Sequence, residues 1–447
     1  MVAGVAIKTR GLLMSSITGN GDAVDMGTPA EGDAAALRRA SEEDAQAASG
    51  GGAALDTSQV NAPAQVRGGN ALRRQRWKRR HKSAEFLRPL SSAVPTDAGE
   101  VLRPVRPARC SWTLGQTVGV MHDGSRPAGY AGLERCSSIW SCPHCSATIR
   151  AGRAAEIEEA VTAHQATGGS VVFFTGTVRH HQGDKLEDTL GQVLDSWSRL
   201  RRNKGWRTMK QRYGIAHYIR AIEVTGNFSA EGHGWHPHCH ALLFLDGDIS
   251  EEQLQALRAD LFHYWTSAVE ALGGKRPTEK GLDVQKCDKE GKVLARYVGK
   301  IQEKKRWTAG AEMARFDAKS GREGSISPFE LLDDDLEMSP ADRGKLWREY
   351  YQATKGRRAI TWSRGLKKLY SIGEKTDEEI QDEAASTTLV WRTSARVFRA
   401  VRRENVENLA VALELAEREE WAKLSEILPA DELWVADSGG VESRKVV

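Results

Sequence analysis

The chain has little of what would mark a secreted, membrane-spanning or fibrous protein. Six cysteines are spread through 447 residues, too sparse for a disulfide-stapled scaffold. No apolar run approaches the 18 residues of a membrane span, and no signal-peptide pattern opens the sequence. No internal repeat is present, which argues against solenoids and propellers. A G-x-x-x-x-G-K-[ST] segment is also missing, so the sequence shows no P-loop motor of its own. Nor is there an excess of one charge, since 64 basic against 60 acidic side chains leave a net +4. These absences predict a protein of the reducing cytoplasm, with 40% apolar content and length enough for two or three domains.

What is present is unevenly distributed. Positive charge gathers in "RRQRWKRRHK" (Arg73–Lys82), "RLRRNKGWRTMKQR" (Arg199–Arg212) and "KIQEKKRW" (Lys300–Trp307), while "LLDDDLE" and the C-terminal third are acidic. Arginine interleaved with tryptophan suits phosphate binding with some stacking; a solvated face or tail is the plainer alternative. Residues 1–95, rich in Ala, Gly, Ser and Thr and lacking an apolar period, are expected to form a disordered tail. Residues 100–150 are irregular and cysteine-bearing, as a small metal-knit module would be.

The pattern then becomes regular. "SVVFFTGTV" (Ser170–Val178) reads as a central strand, and Leu186, Leu190, Val193, Trp197 and Leu200 fall at helical spacing after it. "GIAHYIRAIEVT" and "HPHCHALLFL" read as a strand pair around a short loop. Ser250 and Gln253 make a capping-box start for a helix whose face carries Leu254, Leu257, Leu261 and Trp265. "GLDVQKC" is a short strand, and "KVLARYVGKIQEKK" a basic helix. The order β-α-β-β-α-β predicts an α+β fold of the split ferredoxin-like kind, an antiparallel sheet with helices on one face and the other face free. Two later segments read as helical additions, a 311–375 extension and a 376–447 C-terminal segment.

"GWHPHCHALLFL" (Gly234–Leu245) carries the chemistry. Side chains two apart on a strand share a face, so His238 and His240 project together while Cys239 and Ala241 face the other way. That is a geometry for two imidazoles on one metal; half-buried histidines satisfied by hydrogen bonds are the structural alternative. Pro237 implies a strand start, an edge or a bulge, which leaves His236 less securely aligned. Pairing centred near Glu231 sets Glu223 opposite His238 or His240. A carboxylate in so apolar a strand needs a partner, either a metal or Arg220. Imidazoles alone favour zinc or another transition metal, whereas an added carboxylate suits Mg²⁺ or Mn²⁺.

A nucleophile would complete such a site. Tyr297 lies on the expected basic helix with Lys300 and Lys304 on the same face. Neighbouring ammonium groups and a divalent cation both favour the phenolate, and the lysines can hold a phosphate. A lone tyrosine could as well be a core or surface aromatic, so its company carries the reading. Separately, Cys136, Cys142 and Cys145 form C-x5-C-x2-C, and Cys110 supplies a fourth thiolate for a structural Zn²⁺, with His144 or His122 as weaker substitutes. The rival is C-x-x-C redox chemistry, which places the motif after a strand in a βαβ unit, and no strand precedes it here. Cys239 and Cys287 look like buried apolar-face residues.

Taken together, "FFTGTVRH", "IEVTGNFSAEGHGWHPHCHALLF" and "ARYVGKIQEK" resemble the three ordered motifs of rolling-circle replication initiators, the Rep proteins of the HUH endonuclease superfamily. "AITWSRGLKKLY" and "CSSIWSCPHC" resemble the Gram-positive plasmid branch, and the likeness covers roughly residues 105–372. It implies an HUH catalytic domain over 165–310, with His238 and His240 binding Mg²⁺ or Mn²⁺ and Tyr297 as nucleophile, followed by Lys300. It also implies nicking of one strand at a plasmid origin, a 5′-phosphotyrosyl link, a free 3′-hydroxyl and later rejoining. The partners implied are origin DNA, single-stranded or as a hairpin, with a host helicase and a host DNA polymerase. The third metal ligand differs among relatives, leaving Glu223 and His236 both open. Some relatives place a glutamate four residues before the tyrosine, where this chain has Val293. An HUH transposase or relaxase would use the same residues on other DNA, and a zinc-dependent DNA-binding regulator would do no chemistry.

Overall fold

The computed structural model describes residues 62–96, 99–287 and 325–432. Tyr297, Lys300, Val293 and the helix expected around them lie outside the described residues. The chain runs through α1 (Ala62–Leu87), the hairpin β1 (Ser91–Thr96) and β2 (Gly99–Pro104), β3 (Thr117–Met121), β4 (Gly129–Ala131) and α2 (Pro143–Ala166). Next come β5 (Ser170–Thr177), α3 (Leu186–Arg202), α4 (Lys204–Tyr213), β6 (Ile215–Asn227), β7 (Gly234–Leu245), α5 (Glu251–Glu270) and β8 (Leu282–Cys287). Beyond residue 324 follow α6 (Pro340–Thr354), β9 (Ile360–Trp362), β10 (Leu389–Ser394), α7 (Ala395–Glu404), α8 (Glu407–Glu417) and α9 (Trp421–Ile427).

The main sheet is ordered β8-β5-β7-β6-β9, and each neighbouring pair is antiparallel. Its first four members are joined in the β-α-β-β-α-β order that the apolar periods predict, with β9 added beside β6. The connection from β5 to β6 holds two helices rather than one. Asn203 separates them, its side-chain oxygen accepting from the Gly205 N–H, and Gly214 ends α4 in the left-handed conformation at φ 64°. Leu186, Leu190, Val193, Trp197 and Leu200 of α3 are buried, as are Leu254, Leu257, Leu261 and Trp265 of α5. These side chains pack on the sheet face of Val172, Phe174, Cys239, Ala241 and Leu243. Each fully buried one contributes about 1.5–3 kcal/mol.

The opposite face is not free. Ile157, Ala160 and Val161 of α2, with Leu366 and Ile372, cover Val171, Phe173, Ile219, Leu242, Phe244 and Cys287. Cover on both sides explains why "ALLFL" is apolar without alternation. Pro237 does not break the strand either: it pairs with Val224 of β6, and the ladder to β5 ends one residue later at His238. An open flank is where a residue without an N–H belongs.

The expected tail is also corrected from residue 62 onward. Residues 62–87 are helical, and Trp77, Phe86 and Leu87 are buried. The basic run on α1 is largely neutralised from within. Arg73 pairs with Glu417 and Arg74 with Glu414, both at 2.5 Å, Lys78 with Glu407 at 2.7 Å, Arg79 with Asp333 at 2.5 Å, and Lys82 with Asp334 at 3.3 Å. The acidic partners come from "LLDDDLE" and the C-terminal third, so two opposite biases of the sequence cancel in space. Nor does the C-terminal segment stand apart. β10 pairs with β3, which pairs with β4, and Trp77, Val118, Val120, Tyr130, Trp391, Phe398 and Leu413 share one core. No helix of the described residues is long and apolar enough to cross a membrane.

Candidate metal centres

Three adjacent strands assemble the histidine site. Glu223 lies across from His238, Thr177 across from His238 on its other side, and Thr175 across from His240. Partners directly opposite share a face, so these side chains form one end of the surface that α2 covers further along. Glu223 Oε2 sits 2.8 Å from His240 Nε2 and 3.3 Å from His238 Nδ1. His240 Nδ1 lies 3.0 Å from Thr175 Oγ1, and Phe173 stacks on the same ring at 5.3 Å. Gly176, between the two threonines, has no room for a side chain: a Cβ would lie 2.7 Å from the Phe174 ring. Glu223 and His240 are each only 3% exposed.

Arg220, the other partner open to Glu223, points to the opposite face, where it donates to Thr361 Oγ1 and the Arg358 carbonyl. One nitrogen of the cluster has no partner among the described residues: His238 Nε2 is buried and unbonded. One donor atom from each of Glu223, His238 and His240 lies within 4.8 Å of the others, a group that could hold a metal ion. Two imidazoles, a buried carboxylate and an orphaned nitrogen fit a divalent cation. His236 is not in this group. Its Nδ1 lies 2.6 Å from His180 Nε2, and burial, with His238 and His180 nearby, pushes it down to about 2. Thr175 and His180, the latter lowered by burial, both lie in the quoted "FFTGTVRH", but the sequence does not mark either: the register of β5 on β7 sets Thr175 beside His240, and the chain beyond β5 brings His180 to His236.

The second group lies at the start of α2. Cys142 is the N-cap and Pro143 opens the first turn, so Cys142 and Cys145 sit at the positive end of the helix dipole. Cys110 follows the turn Arg106–Arg109, and Cys136 lies in the loop after β4. The residues behind these two, Ser111 and Ser137, take left-handed conformations at φ 64° and 50°. All four thiols are buried and free of disulfides. Their sulfurs are 3.5 Å (Cys142–Cys110), 3.7 Å (Cys110–Cys145) and 3.8 Å (Cys136–Cys145) apart. A tetrahedron of bonds of about 2.3 Å to zinc has edges of about 3.8 Å, so the group fits that ion. Thiol hydrogen bonds from Cys136, Cys142 and Cys145, together with the buried Arg80, hold Cys110 well below the usual thiol range. The same sharing raises Cys136 and Cys142. Neither histidine substitute joins the group. His144 packs against Trp77 at 4.5 Å and is lowered to about 4 by burial, and His122 lies beyond β3. Cys239 and Cys287 are buried in the two cores flanking the main sheet.

The model of a family described as "Replication protein" matches residues 134–396, more than half of the chain. The chain belongs to this family of replication proteins. It is 32% identical to a "Protein rep" of Streptomyces lividans, over 56% of this chain and 66% of that one. A "Neomycin resistance protein" of Streptomyces cyanogenus is 34% identical over 26% of this chain and 31% of its own. A "Protein rep" of Streptococcus pneumoniae serotype 2 is 32% identical over 17% and 22%. The chain therefore spans less than two thirds of the length of these curated relatives. No solved structure matches it. The likeness to rolling-circle Rep proteins of Gram-positive plasmids, read from the motifs, is borne out.

Proposed function

We propose that this replication protein nicks one DNA strand at a plasmid origin and rejoins strands when a round of synthesis ends. The observation that carries this is the meeting of Glu223, His238 and His240 at one end of the central sheet, with His238 Nε2 lacking a protein partner. The strand order supports a ferredoxin-like HUH fold, with residues 165–310 as the catalytic domain. Glu223 and Thr175 fix the imidazole rings, and Phe173 keeps water from one side of His240. A Mg²⁺ or Mn²⁺ held by the three side chains would act as a Lewis acid on the scissile phosphate. The Tyr297 phenolate attacks phosphorus, the P–O3′ bond breaks, and the electron pair leaves on the 3′ oxygen, which takes up a proton. One phosphodiester is exchanged for a 5′-phosphotyrosyl bond without ATP, and the reverse step rejoins DNA. Lys300 steadies the phosphate oxygens. Cys110, Cys136, Cys142 and Cys145 would hold a Zn²⁺ that orders the module ahead of the sheet, while a host helicase unwinds the duplex and a host polymerase extends from the new 3′-hydroxyl.

Incubation with Mg²⁺ or Mn²⁺ and single-stranded origin DNA, followed by boiling in detergent, should leave a covalent protein–DNA adduct. Absence of an adduct would overturn the proposal. Persistence of an adduct in Tyr297→Phe would reassign the nucleophile.

A further inference from the structure

Two of the three basic runs of the sequence lie among the described residues, and the fold treats them oppositely. Along α1, Arg73, Arg74, Lys78, Arg79 and Lys82 each meet a carboxylate. The cluster at the end of α3 and along α4 is left uncompensated. Arg199, Arg202, Lys204, Arg207 and Lys210 are exposed, and none forms an ion pair among the described residues. Arg212 alone on this stretch reaches an acid, Asp260 at 3.4 Å. Lys204, Arg207 and Lys210 recur every third residue, a stripe rising about 4.5 Å per step. Like charges held this close repel one another, and a polyanion relieves that repulsion.

The aromatic residues of the run face inward. Trp197 and Trp206 are 3% and 6% exposed, so neither ring can stack on a splayed base. The interleaved tryptophans therefore serve the core rather than stacking. Single-stranded DNA gains little from such a surface, whereas a duplex offers a dense phosphate array that needs charge alone. The position is also informative. β6 begins directly after α4, and its Ile215 pairs with Leu245, seven residues along β7 from His238. At about 3.3 Å per residue this surface lies about 23 Å from the histidine site.

We infer that the C-terminal turn of α3 and the outer face of α4 form a second DNA contact, gripping the backbone of duplex DNA beside the strand held at Glu223, His238 and His240. The inference rests on the proposed nicking function for which DNA is bound, and on the charge pattern for where. The test uses the full chain and its Arg202→Gln/Lys204→Gln/Arg207→Gln/Lys210→Gln variant. Each is titrated with a labelled origin duplex and the matching single strand over a range of salt concentrations. Four lost phosphate contacts should lower the slope of log K on log [salt] by about 3 to 4 and weaken duplex binding at least about tenfold. Cleavage of a short single-stranded oligonucleotide should stay within about twofold. An unchanged duplex slope overturns the inference, and an equal loss of single-strand binding overturns the assignment to duplex. If the wild-type chain cleaves no oligonucleotide, the nicking proposal fails, yet the duplex slopes still judge the surface. Should the quadruple variant not fold, Arg207→Gln and Lys210→Gln singly should each lower the slope by about 1.

Discussion

Cys110, Cys136, Cys142 and Cys145 face one another with every thiol buried, whereas Glu223, His238 and His240 crowd one carboxylate and keep a ring nitrogen without a protein partner. Both groups could hold a metal, but they differ in closure. Four protein donors at tetrahedral spacing complete a coordination shell and leave no position for a substrate; three donors at the end of a strand ladder do not. Closure therefore separates a group suited to holding the chain together from one suited to chemistry on something that enters from outside.

The largest effect should come from opening the closed group. A structural zinc contributes about 10–16 kcal/mol of apparent folding energy, as much as the whole stability of a typical domain, about 5–15 kcal/mol. Protein purified under reducing conditions should carry about one zinc per chain. Cys142→Ser should lose it and become insoluble or protease-sensitive around residues 100–150. Wild-type protein without zinc, or a folded and protease-resistant Cys142→Ser, would break the contrast.

The open group should respond the other way. His238→Ala with His240→Ala should lower adduct formation by more than the roughly 10- to 100-fold typical of an outer-shell change, while the thermal melt and duplex binding stay near wild type. Unfolding of this variant would mean that the histidines serve the core. A smaller loss is expected for Thr175→Val. It keeps a β-branched side chain in β5 but removes the oxygen at His240 Nδ1, so activity should fall about 10- to 100-fold with the requirement for added cation raised. No change in the cation titration would remove Thr175 from the site.

How much of this was legible depends on the distance in sequence between partners. The hairpin arithmetic around Glu231 places Glu223 opposite His238 or His240, because a short loop allows few pairings, and the register selects His238. The faces of α3 and α5 were legible from the 3.6-residue period. Thr175 was not singled out, since its place beside His240 depends on two strands 65 residues apart. α1 looks like tail in the sequence because its apolar residues are few and its many charges find their acids far away, Arg73 and Glu417 being 344 residues apart. The cover on the second face is hidden for a similar reason: no element is read for residues 151–169, and only the fold sets Ile157, Ala160 and Val161 of α2 against the sheet. Local periodicity reports which side chains are buried, and non-local pairing decides against what.

The smallest expected effect tests whether burial, rather than the number of pairs, holds the chain around the closed group. Lys78 and Glu407 meet at 2.7 Å with side chains 57% and 31% exposed, and exposed pairs contribute about 0–1 kcal/mol because water and salt screen them. Lys78→Ala should therefore lower the melting temperature by less than about 4 °C and leave the zinc content unchanged. Trp77 and Arg80 remain buried on the same helix, Arg80 donating to the Cys110 carbonyl, so α1 stays seated against the cysteine module without that ion pair. A larger drop, or loss of zinc from Lys78→Ala, would mean that the closed group depends on the charged surface around it and is less self-sufficient than its four sulfurs indicate.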